Sequence, residues 1–202
     1  MKSVNDEEIV EKFLRNSCPG ISVCRFTKKE KIDRKTPDFK ILEADKLAFY
    51  CEVKSIDKDN WLDNQLEKAK PGEIVGGIRQ DPIFNRLTDD IYKAEKQFKS
   101  VNKKREYPNV LVLVNHDIYC KFNDLLSVIT GNFYAKGDVV LPIDKKYSEG
   151  RIKNAEYIID LFIWLDDNKP EQFLLSQRHE VHKVNLCRIF EKDPKEIKLI
   201  PY

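Results

Sequence analysis

"TPDFKILEADKLAFYCEVKS", residues 36–55, is the stretch whose reading decides the fold. "PDFKILEA" (37–44) and "KLAFYCEVKSI" (46–56) each read as a strand, and Glu43 to Lys46 between them reads as the connecting turn. Alternate side chains of a strand share a face. Leu47, Phe49, Cys51 and Val53 therefore point into a core layer, while Ala48, Tyr50, Glu52 and Lys54 share the other face. Asp38 begins the first arm of this hairpin. Counting outward from the middle of the turn brings it opposite residues 51 to 52, so Asp38, Glu52 and Lys54 are predicted to converge at one end of the sheet.

Upstream, "NDEEIVEKFLRN" (5–16) predicts an amphipathic helix with Asn5 or Asp6 as its N-cap, ended by "CPG". "ISVCRF" (21–26) predicts a strand, and "KKEKIDRK" (28–35) a basic turn. Downstream, 57–85 reads as an insertion or mobile loop, interrupted by "PGEIVGG". "NRLTDDIYKAEKQFKSVNKK" (85–104) predicts a helix, with Leu87, Ile91, Ala94, Phe98 and Val101 on its apolar stripe. "PNVLVLVNH" (108–116) follows as a strand buried on both faces. A helix at about 118–129, a Gly-rich connection, a strand at about 157–165 and a hairpin at about 172–190 complete the chain. The order helix, three strands, helix, strand implies an α/β fold with a mixed central sheet flanked by helices, extended by further C-terminal strands.

At 202 residues the chain fits one domain, 1–202, with its core in about 5–116 and an extension over 117–202. The longest apolar run, "YIIDLFIWL", is broken by Asp160, so no membrane partner is expected. The acidic, polar start "MKSVNDEE" does not resemble a secretory signal, and a cytoplasmic location is the expectation. Five scattered cysteines without a CxxC pair suggest buried free thiols. The histidines of "RHEVH" (178–182) lack zinc-site spacing and read as polar loop residues, and "NHD" (115–117) reads as a strand-end turn. A net charge of +2 says little about nucleic acid. The basic patches 28–35 and "KSVNKKR" (99–105) are of the kind that can line a phosphate-binding groove, or else are solvated loop and helix-end lysines.

Two carboxylates and an ammonium at one sheet end repel or desolvate one another unless something compensates. A divalent cation is the usual compensation. Asp38, Glu52, the Val53 backbone carbonyl and water suit a hard, six-coordinate Mg²⁺, with Mn²⁺ as a substitute. An ammonium beside such a cation can hold a water or a phosphate oxygen, which is equipment for phosphodiester hydrolysis. The plainer alternatives are Asp38 as a turn residue after Pro37, and Glu52 with Lys54 as a same-face surface ion pair.

Pro37-Asp38, thirteen residues, then Glu52-Val53-Lys54 resembles the signature of the PD-(D/E)XK nuclease superfamily. The helix, strand and helix order over about 5–116 is similar to that superfamily's restriction endonuclease-like αβββαβ core. The resemblance implies a Mg²⁺-dependent nuclease in which metal-activated water cuts a phosphodiester, with DNA ahead of RNA as substrate and a homodimer as one arrangement. It implies Asp38 and Glu52 as metal ligands, Val53 as a carbonyl ligand, and Lys54 as the group that positions water. Members often add an acid from the first helix. Glu7 borders the buried face set by Val10, Phe13 and Leu14, and Glu11 stands behind it. From the second helix, Lys93 and Gln97 are candidates near the phosphate.

Two other readings remain open at this point. One is a catalytically inactive module of the same fold that binds nucleic acid or a protein partner. The other is a protein-interaction domain with a merely superficial charge pair, which requires Asp38 and Lys54 to be far apart.

Overall fold

The hairpin forms where expected, and Phe49, Cys51 and Val53 face the predicted core layer, but near the turn Ala48, expected on the Glu52 face, packs against that layer instead of Leu47. Strands β2 (Phe39–Glu43) and β3 (Lys46–Ile56) pair antiparallel across a two-residue turn. Ala44 and Asp45 hold φ of 48° and 62°, the left-handed conformations such a tight turn demands. The pairing contains one irregularity. Leu42 faces Leu47 but Ile41 faces Phe49, so Ala48 is an extra residue on β3, a β-bulge. Beyond it Phe39 faces Cys51.

The computed structural model describes residues 5–58, 61–76, 83–134, 140–142, 157–166, 169–195 and 197–200. Around the hairpin they place α1 (Asp6–Ser17), β1 (Ile21–Arg25), α2 (Lys28–Asp33), α3 (Trp61–Leu66), α4 (Ile83–Val101) and β4 (Asn109–Asn115). Further on come α5 (Phe122–Thr130), β5 (Asn132–Tyr134), β6 (Val140–Pro142), β7 (Leu161–Asp166), β8 (Gln172–Leu175), α6 (Glu180–Ile189) and β9 (Lys198–Leu199). Seven strands make one mixed sheet in the order β1-β2-β3-β4-β7-β8-β9, and β5 pairs separately with β6. The β1/β2, β2/β3 and β7/β8 pairs are antiparallel, whereas β3/β4, β4/β7 and β8/β9 are parallel. The protein is thus α/β, with helices on both faces of the sheet.

Alternation along each strand builds two cores. Phe39, Ile41, Phe49, Cys51, Val53, Val110 and Val112 pack with Val10 and Leu14 of α1 and Leu186 of α6. Leu111, Leu113, Ile56, Phe162 and Trp164 pack with Leu87, Ile91, Ala94 and Phe98 of α4 and with α5. Every residue of β4 is buried, because helices cover it on both sides. Among the described residues no helix is long and apolar enough to cross a membrane. All five cysteines are free thiols, four of them buried, and burial pushes the Cys18 thiol up to about 12.

Three sequence expectations need correction. The basic stretch 28–35 contains a helix, α2, because Thr27 and Glu30 form a reciprocal capping box at its start. The 172–190 region is not a hairpin: β8 pairs back onto β7, and 180–189 is helical, with Leu186 and Ile189 on its buried side. The histidines there are not both polar loop residues, since His182 is buried in α6. Within 57–85, α3 and the start of α4 are formed, while 59–60 and 77–82 lie outside the described residues. Asn5 is the N-cap of α1, its side chain accepting from the Glu7 amide.

Candidate active site

The bulge at Ala48 decides which side chains meet. Directly opposed residues of an antiparallel pair share a face. Continuing the observed register by one residue places Asp38 opposite Glu52, on the α4 side of the sheet. Were Ala48 paired with Ile41 in a regular ladder instead, Asp38 would oppose Cys51 and face α1.

Asp38 is fixed by the backbone it reaches, its Oδ2 accepting from the Val53 amide at 2.8 Å. The Tyr50 amide donates to the Pro108 carbonyl and the Ile56 carbonyl accepts from the His116 amide, so even-numbered backbone groups of β3 point toward β4. Val53 is odd, and its carbonyl points with its amide toward the Asp38 side. Glu52 is only 1% exposed. Lys54 donates to Glu52 Oε1 and, at 3.2 Å, to Gln97 Oε1. Gln97 is held in turn by donating from Nε2 to the Thr36 carbonyl at 2.9 Å. Glu52 Oε2 is buried without a hydrogen bond of ordinary geometry, although Asp38 and Gln97 are both close enough to bias its titration.

The electrostatics follow from this crowding. Burial, and then the charge of Asp38, push the Glu52 carboxyl up to about 8 against the opposing pull of Lys54 and Gln97. Burial also raises Asp38, with the charge of Glu7 adding to it, while the Val53 amide and Lys54 work the other way. Two adjacent buried acids therefore favour a shared positive charge, whether a proton or a cation.

Helix α1 brings Glu7 to the edge of this cluster. Its first turn is anchored by His116 Nε2, 3.0 and 3.1 Å from the two Asp6 carboxylate oxygens, and by Arg25, which donates to Glu7. Glu11 is directed elsewhere, pairing with Arg15 at 2.8 Å and with Arg25 at 3.8 Å. The structure does not bring Lys93 in: it pairs with Asp90 at 3.0 Å and its side chain is 64% exposed. Helix geometry explains the split, since Gln97 lies one turn nearer the level of Lys54 on the same flank of α4.

Sequence reading missed the anchors. His116 belongs to the strand-end turn expected for "NHD", but its bond to Asp6 spans 110 positions and no local pattern signals it. Arg25 ends β1 and meets Glu7 only because β1 packs beside α1, a contact no local pattern signals.

Comparison with protein-family models, curated proteins and solved structures yields no match. The chemistry of the site rests on its geometry. Among the described residues no three His, Cys, Asp or Glu side chains form a ready-made metal set. The donors present are two carboxylates and a carbonyl, with Glu52 Oε2 buried and unsatisfied. That set fits a hard cation which keeps several waters, the habit of Mg²⁺, better than zinc. The surface-pair reading required Asp38 and Lys54 to be far apart; instead Asp38 is bonded to the residue preceding Lys54 and its carboxyl is influenced by the Lys54 charge.

Proposed function

We propose that the protein is a metal-dependent nuclease that hydrolyses phosphodiester bonds, DNA ahead of RNA, with a restriction endonuclease-like core. The observation that carries this is the meeting of Asp38, Glu52 and Lys54 on one face, with a buried carboxylate oxygen left unsatisfied. The chain order α1, β1, β2, β3, α4, β4 supports it, being the αβββαβ order that the PD-(D/E)XK resemblance implies, with α2 and α3 as additions.

Asp38, Glu52 and the Val53 carbonyl would hold Mg²⁺, or Mn²⁺ in its place, with Glu7 able to take a water of that cation. When bound, the cation supplies Lewis acidity to a water and offsets charge gathering on the phosphate. Lys54, oriented by Gln97, keeps its ammonium aimed at the same space, where it can fix the attacking water or a phosphate oxygen. The water oxygen attacks phosphorus, the P–O bond to the leaving group breaks, and the departing oxygen takes a proton.

The test is cleavage of labelled DNA with and without Mg²⁺. Asp38→Ala, Glu52→Ala and Lys54→Ala are each expected to lower the rate by at least about a thousandfold. Undiminished cleavage by all three variants removes the assignment. A wild-type protein that binds DNA but never cuts it, under any divalent cation, identifies the inactive binding module instead.

A further inference from the structure

The two basic patches of the sequence, more than sixty positions apart, meet in one cleft. It has a volume of about 630 Å³ and takes Arg34 from the first patch and Lys103 and Lys104 from the second. Its aromatic wall is Tyr50 and Tyr107, edge to face with ring centres 6.2 Å apart, and Phe26 stacks behind Tyr50 at 6.1 Å. A cleft of that size accommodates a nucleotide.

Its position is the informative part. Tyr50 lies two residues before Glu52 on the same face of β3, about 7 Å along the strand. The segment carrying Arg34 is stapled along α4 between the two places: Gln97, which holds Lys54, also bonds Thr36, and Ser100 on the cleft wall bonds the Lys35 carbonyl. Seven ångströms spans roughly one nucleotide of an extended strand, or two stacked ones at ~3.4 Å each.

Charge favours an anion there. The wall carries three cations against the single carboxylate of Glu106, which lies 4.0 Å from Lys104. Arg34 lines the cleft together with Tyr50 and Tyr107, so a cation and the aromatic wall border the same space. Aromatic rings interleaved with cations suit a base with its phosphate, and a base can reach a ring only after leaving its own duplex.

We propose that this cleft binds an unpaired nucleotide of a single-stranded nucleic acid, its base against Tyr107 and Tyr50 and its phosphate between Arg34 and Lys103. Where the neighbouring cluster is the nuclease site, as proposed above, the substrate is a strand unpaired next to the cut: a single strand, a flap or a frayed end.

The experiment measures binding of the whole protein to a fluorescent single-stranded oligonucleotide and to the blunt duplex of the same sequence, in EDTA, by anisotropy. The wild type is expected to bind the single strand at least about tenfold more tightly than the duplex. Tyr107→Leu should abolish that preference and Tyr107→Phe should keep it. Arg34→Gln with Lys103→Gln, both at exposed positions, should weaken single-strand binding about tenfold and flatten its salt dependence. Equal affinity for the two forms overturns the proposal, as does a preference that survives Tyr107→Leu in a folded protein, or unchanged affinity in the Arg34, Lys103 double variant. Because the assay needs no cleavage, the two readings fail separately. Single-strand preference without metal-dependent cutting leaves the cleft standing and removes the nuclease; cutting without that preference does the reverse.

Discussion

Two buried carboxylates flank the central strands, and they are treated in opposite ways. Asp160, 2% exposed at the start of β7, is fully engaged. Its Oδ1 accepts from Arg105 at 2.6 Å and lies 3.1 Å from His182 Nδ1, and its Oδ2 accepts from the Asn109 amide at 2.9 Å. Glu52, equally buried, has one lysine on one oxygen, none on the other, and a second acid beside it. Burial alone thus says nothing about purpose; the completeness of the surrounding hydrogen bonds does. Asp160 ties α6, β4 and the loop after α4 together. Glu52 is left needing a positive charge that the fold does not fully supply. Glu95 also keeps one buried oxygen unpaired, but it pairs with Lys99 and has no carboxylate neighbour among its described contacts.

If that contrast is sound, substitutions at the two acids should separate stability from chemistry. Asp160→Ala leaves Arg105 and the Asn109 amide without their acceptor and should cost about 3–5 kcal/mol in urea denaturation, with cleavage by the remaining folded protein little changed. A fully stable Asp160→Ala variant would break the comparison from one side.

The other side is a matter of pH. With the folded-state pKa of Glu52 raised to about 8, the folded protein holds a proton that the unfolded chain releases near 4.5. The stabilisation from that proton is complete below about pH 4.5 and is lost as pH rises through 8. Metal-free wild type should therefore lose stability relative to Glu52→Gln by up to about 1.4 kcal/mol per pH unit across that window. Parallel stability curves for the two proteins would show that Glu52 is ionised in the fold throughout.

If the proposed cation binds at Glu52, the same proton has to leave. Mg²⁺ affinity should rise up to about tenfold per pH unit below 8, and titration calorimetry in buffers of different ionisation enthalpy should register proton release. Binding without proton release would place the cation elsewhere. The smallest effect is expected at Lys93: Lys93→Ala should leave the cleavage rate within about twofold, because its ion pair with Asp90 is exposed, whereas Gln97→Ala should slow cleavage about tenfold by freeing Lys54.

Much of this site was legible because its chemistry sits on a hairpin. Period-two alternation fixed the shared face of Glu52 and Lys54, and the turn at Ala44 and Asp45 fixed where Asp38 would come within one residue. Helix periodicity placed Glu7, and it put Lys93 and Gln97 on one flank of α4 without telling which of them reaches Lys54. What local pattern did not supply were long-range partners: His116 for Asp6, Arg25 for Glu7, and Arg34 beside Lys103. The C-terminal helix was misread as a strand because "VHKVNLCRIF" mixes β-branched residues with a weak apolar stripe, and only docking beside β8 decides between them.

The bulge at Ala48 makes the proposed chemistry a question of strand register as well as composition. Were Ala48 to pair with Ile41 instead of bulging out, the hairpin would zip without interruption, yet Asp38 would come opposite Cys51 in the apolar layer beneath α1 and leave Glu52 alone. The proposed chemistry could thus be lost through a one-residue slip in pairing while every acid and amine remained in the sequence.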